Sequence, residues 1–388
     1  MTREEKLNML FDSLSNEVSI TETMLDRAET SYNALGNYIK SYNDEWDVVV
    51  YPQGSFELGT VIKPLNEEEQ YDVDLVVLVK SPEFNAGSLR KNVREMLASY
   101  GVYNGKIQDK KPCIRIQYAD SAQFHMDIAS AQEVQNKDDI IEIARWNGVD
   151  EYYYDISNPK GYIEWFKKTM ELDQIRKKAL YEVSGKTEVE ELKLSRRRTP
   201  LQKSIQILKR HRDIYFNGKA NSDDRPSSII ITTLCAKIYK DLCSTFDSNN
   251  IYLTIANLLR NFQRYITIDM EGQYYLENPS NKAENFLKKW NDNSNLVVAF
   301  NEWLRQACKD IIENPEEFIE ENPHELRSVL NESFGATVVE KALDNYGQKI
   351  GKLAENGKMF FDKVGAGITL QSSMGSSYKG HTYFGGNS

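Results

Sequence analysis

The chain has 388 residues, 40% hydrophobic and 11% aromatic, which excludes wholesale disorder and gives enough apolar material for two domains or one two-lobed unit. Its 58 acidic and 48 basic side chains leave a formal net charge of -10, a poor balance for a general nucleic-acid binder unless the basic residues cluster. The polar start MTREEKLNMLF is no signal peptide, no run of about 18 apolar residues offers a membrane span, and Cys113, Cys235, Cys243 and Cys308 form no CxxC pair; a cytoplasmic protein with reduced thiols is expected.

Thr2 to Leu14 has helical spacing, with Leu7, Leu10, Phe11 and Leu14 on one face. Thr21 can cap a second helix that runs to Tyr42. Trp46 to Tyr51 reads as a strand ended by Pro52, and Gly54-Ser55 opens a turn into a short helix or loop. Tyr71 to Val79, rich in β-branched residues, predicts a strand, and Ser88 to Tyr100 a helix. Cys113 to Tyr118 and Gln123 to Ala129 read as two strands, and Asp139 to Ala144 as an edge strand.

After Asn158-Pro159-Lys160-Gly161 the pattern turns helical: Tyr162 to Met170, then a charged irregular stretch from about Asp173 to Thr199, then a strong helix from Leu201 to Tyr215 with Pro200 near its first turn. Further helices are expected from Pro226 to Tyr239 and over Ile251–Ile268, Lys282–Trp290, Leu296–Ile312, Glu325–Leu330 and Ala336–Leu353. Strands first and helices afterwards make the fold α+β. The expected units are 1–160, a catalytic core with the N-terminal helices; 161–364, a helical lobe; and 365–388, a flexible Gly/Ser-rich tail.

The chemistry gathers between Tyr51 and Leu78. Asp72 and Asp74 stand two apart on a strand, so both carboxylates leave one face, about 6.5–7 Å apart, while Val73, Leu75 and Val77 point into a core. Asp127, within Phe124-His125-Met126-Asp127-Ile128, lies on a second strand, where a carboxylate in apolar surroundings needs a partner. Three carboxylates can serve two Mg²⁺ ions, with Mn²⁺ as an alternative, and two ions about 3.5–4 Å apart can activate an attacking hydroxyl and steady a leaving oxygen. Gly54 permits close backbone approach, Ser55 adds a hydroxyl and Gln53 an amide donor, together a candidate phosphate-binding turn. A DxD pair alone is more often solvated than ligating; the turn before it and the third acid after it raise its standing. From Lys193 to Arg212 the chain carries Lys193, Arg196, Arg197, Arg198, Lys203, Lys209, Arg210, His211 and Arg212 and no acid, which reads equally as a polyphosphate or RNA surface and as a solvated helix face with a charged loop.

The sequence of a Gly-Ser turn, a DVD strand and a single later Asp resembles the polymerase-beta-like nucleotidyltransferases. The fuller strings QGSFELGTVIKP, YDVDLVVLV, SNPKGYIEWF and LQKSIQILKRHRDIYF resemble the bacterial CD-NTases, the cyclic GMP-AMP synthase-like and DncV-like enzymes of CBASS anti-phage systems, closely from Tyr51 to Tyr239 and more loosely beyond. The resemblance implies a polymerase-beta-like core sheet and a cyclic di- or trinucleotide synthase that releases pyrophosphate. It implies two Mg²⁺ ions on Asp72, Asp74 and Asp127, with Asp127 also helping to deprotonate the attacking ribose hydroxyl. Gln53, Gly54 and Ser55 would meet the donor triphosphate. Lys209 and Ser228 fit the family's lysine and serine that clamp it, with Lys203 and Ser227 as near alternatives. The zinc-binding DNA-sensing insertion of the animal synthases is absent, so no nucleic-acid activator is implied. Implied partners are nucleoside triphosphates, an effector that the product activates and, from Tyr383-Phe384-Gly385-Gly386, an E1/E2-like conjugating partner, although Asn387-Ser388 depart from a terminal glycine. Two other readings stand beside this one: a template-free polymerase making linear oligonucleotides, and a silent nucleotide-binding protein on the same fold. Tyr152, Tyr153, Tyr154 and Asn158 are candidates for base selection, with core packing as the competing role of the tyrosines.

Overall fold

The computed structural model describes residues 1–42, 46–66, 69–81, 83–118, 123–134, 137, 139–183 and 198–355, together with the backbone of Phe360–Asp362, Ile368–Thr369 and Gly375–Ser377, three short strands that pair antiparallel. The remainder of the expected 365–388 tail, including Tyr383 to Gly386, lies outside the described residues, as do Lys193, Arg196 and Arg197.

Two helices, α1 (Arg3–Val18) and α2 (Glu22–Tyr42), precede a sheet of β1 (Asp47–Pro52), β2 (Tyr71–Ser81), β3 (Ile107–Asp109), β4 (Ile114–Gln117), β5 (Phe124–Glu133), β6 (Ile141–Trp146) and β7 (Tyr152–Ser157). Thr2 caps α1 with a full capping box, and the Thr21 hydroxyl accepts from the Met24 amide at 3.2 Å. The one-turn α3 (Gly54–Glu57) follows β1, and α4 (Ala86–Ser99) connects β2 to β3. The strand order is β1-β2-β5-β4-β3, with β6 on β5 and β7 on β6; β2 and β5 run parallel and the other pairs antiparallel.

Alternation along the strands separates the two faces. Val73, Leu75 and Val77 of β2, Met126 and Ile128 of β5 and Ile116 of β4 are fully buried against α2 and α4. Asp72, Asp74, His125, Asp127 and Arg115 share the other face, which continues into a small apolar patch of Val76, Leu78, Ala129 and Ala131. Because the period is 2, a slip of one residue would drive all of these polar groups into the core, so the register is strongly specified.

The remaining helices are α5 (Pro159–Val183), α6 (Pro200–Phe216), α7 (Ser228–Leu242), α8 (Ile251–Asn261), α9 (Lys288–Asp292), α10 (Ser294–Cys308), α11 (Asn314–Glu321), α12 (Pro323–Phe334) and α13 (Ala336–Glu355). They form a second core around Phe262, Phe300, Trp303 and Phe334. Although α1 falls within the expected 1–160 unit, it packs with this second core, against α6, α8 and α13. Among the described residues no helix is long and apolar enough to cross a membrane.

Several expected elements need correction. Asp173 to Val183 continues α5: its charges are carried by strong helix formers, without Gly or Pro. Asp139 to Ala144 is no edge strand, because β7 covers β6; the Asn147 carboxamide turns the chain between them by accepting from the amides of Val149, Asp150 and Glu151. The helix expected from Pro226 begins at Ser228, with Ser227 in the capping position. Ile251–Ile268 is α-helical to Asn261, tightens into a 3₁₀ turn over Phe262–Tyr265 and ends in strand Thr267–Ile268. Lys282–Trp290 begins as strand Asn281–Asn285, whose Asn285 side chain accepts from the amides of Leu276 and Leu287, and becomes helical at Lys288. Leu296–Ile312 gives way at Lys309–Glu313 to a π-helical turn.

That turn carries Asp310, which helps fix α6. Trp303 Nε1–H donates to His211 Nδ1 at 3.1 Å, so the ring's other nitrogen carries the hydrogen and donates to Asp310 Oδ2 at 3.2 Å. Desolvation pushes the Asp310 carboxyl up, but its bonds from His211 and Gln306 outweigh it and hold the group below its ordinary value. His211→Phe leaves a buried indole N–H and a carboxylate short of partners; an expected loss of about 3 kcal/mol, read as a lower urea midpoint with unchanged slope, checks this role.

Candidate active site

The turn comes first. Gln53 is extended, Gly54 has φ +62°, and the chain enters α3. The Gln53 amide donates to the Asp74 carbonyl at 2.9 Å, and the Thr60 amide donates to the Ser55 carbonyl at 2.9 Å, so the turn is pinned at both ends. A Cβ on Gly54 would collide with the Asp74 carboxylate. The glycine is therefore needed twice, for its backbone angle and for the approach of that acid. Gly54→Ala is expected to fold, with a melting temperature a few degrees lower, and to lose about 100-fold or more in turnover; circular dichroism melts and product assays check both.

The acids come next. In the parallel pairing Asp72 lies opposite His125 and Asp74 opposite Asp127, and in the antiparallel pairing Arg115 lies opposite Asp127. Adjacent strands are about 4.8 Å apart, so three carboxylates crowd one small surface. Arg115 grips Asp127 with two bonds, Nε to Oδ1 and Nη2 to Oδ2, both 2.7 Å, and reaches Asp72 Oδ1 at 3.5 Å. His125 Nε2 lies 2.5 Å from Asp72 Oδ1. Desolvation, followed by the charges of Asp72 and Asp127, pushes the Asp74 carboxyl up to about 7. For Asp72 desolvation also acts upward, but His125, Arg115 and Lys209 pull harder and the group sits below its ordinary value. The Cys113 thiol is pushed well up by burial and by neighbouring Asp127. One ligand atom from each of Asp72, His125 and Asp127 falls within 4.8 Å of the others, a group able to hold a metal ion.

The second wall is α6. Its side chains donate to a succession of carbonyls in the segment that leaves the turn: Gln202 to Leu58 at 2.9 Å, Lys209 to Thr60 at 2.9 Å, Gln206 to Val61 at 2.7 Å, and Arg210 to Lys63 and Pro64 at 3.3 and 3.1 Å. These bonds tie the turn to the helical lobe. Burial, then the charge of Arg212, brings the Lys209 ammonium down to about 8, against the opposing pull of Asp213, Asp74 and Asp72. Ser228 Oγ accepts from Arg212 Nη1 at 3.1 Å, which also reaches the Pro226 carbonyl. Lys203 instead pairs with Asp12 of α1 at 2.6 Å, and Ser227 is exposed.

The basic block is therefore no exposed RNA surface across its described residues. Lys209, Arg210, His211 and Arg212 are buried, and Arg198 donates to the Ile20 carbonyl. Tyr152 and Tyr153 are exposed on β7, Tyr154 donates to the Phe84 carbonyl, and Asn158 accepts from the Gly161 amide near the start of α5. Two site residues escaped the sequence reading, Arg115 and His125. Alternation within CIRIQ and FHMDI places both on the face of the acids, but nothing local says that β5 would lie beside β2 with β4 on its other side.

Residues 48–130 match the family model described as cyclic GMP-AMP synthase DncV-like, nucleotidyltransferase domain. The chain is similar to a c-di-GMP synthase of Roseivirga ehrenbergii, with 26% identity covering 75% of this chain and 77% of the relative. It is also similar to the cyclic dinucleotide synthase CdnG of Bradyrhizobium diazoefficiens, with 20% identity over 93% and 88% of the two chains. The structure of that CdnG in complex with GTP shares the fold with a TM-score of 0.68 over 88% of this chain and 99% of that one. The E. coli MS115-1 CdnC:HORMA complex contains a chain of the same fold, with a TM-score of 0.61 at 12% identity, covering 85% and 96%.

Proposed function

Since this chain belongs to the bacterial CD-NTases, the DncV-like nucleotidyltransferases, we propose that it joins nucleoside triphosphates into a cyclic di- or trinucleotide second messenger. The observation that carries the reading is the meeting of Asp72, Asp74 and Asp127 beside the Gly54-Ser55 turn, with Lys209 within electrostatic reach. The relatives' names make guanine nucleotides the first substrates to test.

The donor set fits a hard divalent cation: clustered carboxylate oxygens, and one carboxyl held near 7 by burial and then by its charged neighbours, call for further positive charge. Asp72, Asp74 and Asp127 would hold two Mg²⁺ ions, which when bound lower the cost of the charge on the reacting phosphate. Gln53, Gly54 and Ser55 position the donor triphosphate from the turn; Lys209 and Ser228, the latter steadied by Arg212, hold it from the lobe. A ribose hydroxyl of the second nucleotide forms a bond to the α-phosphorus, and the bond from that phosphorus to the bridging oxygen breaks, releasing pyrophosphate. Asp127 takes the hydroxyl proton, its carboxylate oriented by the two bonds from Arg115. A further round closes the ring. The setting proposed with this chemistry is cytoplasmic anti-phage signalling through an effector that binds the product. An E1/E2-like partner at the tail remains a separate proposal.

Labelled nucleoside triphosphates incubated with the protein and Mg²⁺ or Mn²⁺, then treated with phosphatase, are expected to give resistant products whose mass reports ring size and bases. Phosphatase-sensitive ladders would favour the linear polymerase, and nucleotide binding without turnover the silent protein. The burial of Lys209 to Arg212 speaks against the polymerase, because those charges are not free to track RNA.

A further inference from the structure

His125 stands out from the three acids. Its side chain is buried, 6% of the residue being exposed, and it points from β5 across to Asp72 on β2. Nε2 comes within 2.5 Å of Asp72 Oδ1, a close polar contact, but off the line of a good hydrogen bond, and among the described residues no other group bonds it. A buried polar atom without a partner is costly and calls for an explanation. The ligand atoms of Asp72, His125 and Asp127 lie within 4.8 Å of one another, and bonds of about 2.1 Å to one cation place its ligands up to about 4.2 Å apart, a small adjustment away. Arg115 does not prevent this, because each oxygen of Asp127 keeps a second lone pair beyond the one it uses for the guanidinium.

We propose that His125 Nε2 is a metal ligand, and that it joins Asp72 and Asp127 in a mixed nitrogen–oxygen site that favours Mn²⁺ over Mg²⁺. The inference rests on the nucleotidyltransferase reading of this site and adds to it the identity of a ligand and of the preferred ion. Mg²⁺ prefers oxygen donors and gives up water reluctantly, whereas imidazole suits first-row transition ions. Mn²⁺ accepts both kinds of donor, so a nitrogen beside two carboxylates shifts selectivity toward it. A histidine that merely oriented Asp72 would direct an N–H along the line to the carboxylate, which this one does not.

Mn²⁺ bound to the full chain and examined by pulsed electron paramagnetic resonance is expected to show ¹⁴N modulation from one imidazole. That signal should vanish when the protein is made with ¹⁵N-histidine, a control that involves no substitution, and in His125→Asn. Calorimetric titration should show Mn²⁺ affinity falling about tenfold or more in His125→Asn, with Mg²⁺ affinity changed less than threefold. Bound Mn²⁺ without ¹⁴N modulation overturns the proposal, as does an equal loss of both affinities. The two readings separate cleanly: a phosphatase-resistant product without nitrogen coupling removes the histidine ligand and keeps the synthase, whereas nitrogen coupling without any product does the reverse.

Discussion

Asp74→Asn should abolish synthesis and yet stabilise the metal-free protein. The wild-type carboxyl is desolvated and faces two like charges, which carry it from 3.8 to about 7. That gap corresponds to at most about 4 kcal/mol, less after solvent screening. The sign follows from proton binding. Between pH 4 and 7 the folded state holds a proton that the unfolded chain has released, so stability falls as pH rises across that window and the full cost is present above 7. Asparagine removes the charge and keeps the size. In EDTA at pH 8 the variant is expected to melt several degrees above wild type, the gap closing as pH drops toward 4. Turnover should fall by about 1,000-fold or more, because the proposed cation site loses one of its three carboxylates. A divalent cation should raise the wild-type melting temperature more than that of the variant. Thermal scans across pH with and without metal, beside product assays, check each part.

Lys209→Met separates two roles of one side chain. At pH 7 the buried ammonium, brought down from 10.5 to about 8, weighs on the folded state by about 3 kcal/mol, partly offset by its bond to the Thr60 carbonyl. Below 8 it is protonated in both states and the cost is full. Between 8 and 10.5 the folded state releases its proton first, so stability rises with pH there. Methionine should therefore leave the melting temperature at pH 7 within a few degrees of wild type or higher, and remove that rise. A lost charge-assisted contact of about 2 kcal/mol should raise the KM for the donor triphosphate about 30-fold. Wild-type KM should climb as pH passes 8, and the variant's should stay flat. Michaelis constants measured from pH 6.5 to 9.5 with both proteins decide it.

Much of this site is readable from local pattern. β-Branched residues between Tyr71 and Val79 mark a strand, and Asp72 and Asp74 on it share a face by period alone. Thr199, Pro200 and Gln202 mark the start of α6, and a capping box forms there. The basic block shows the limit. Charge composition allowed an exposed surface, whereas the lobe folds Lys209 to Arg212 inward, where three of them bond carbonyls of distant segments. Polar pattern tells which residues can donate, and packing tells what receives the bond.

The sequence by itself determined the pieces: the turn that needs Gly54, the two acids on one strand face, the third acid on another strand, and the helix that carries Lys209. These follow from short-range rules of backbone angle, alternation and helical period. The tertiary structure alone decided that β5 lies parallel beside β2, that Arg115 and His125 join the acids, and that α6 grips the segment from Leu58 to Pro64. Those contacts join residues tens to more than a hundred positions apart, and they arise from the burial of two cores against each other, which no local period encodes.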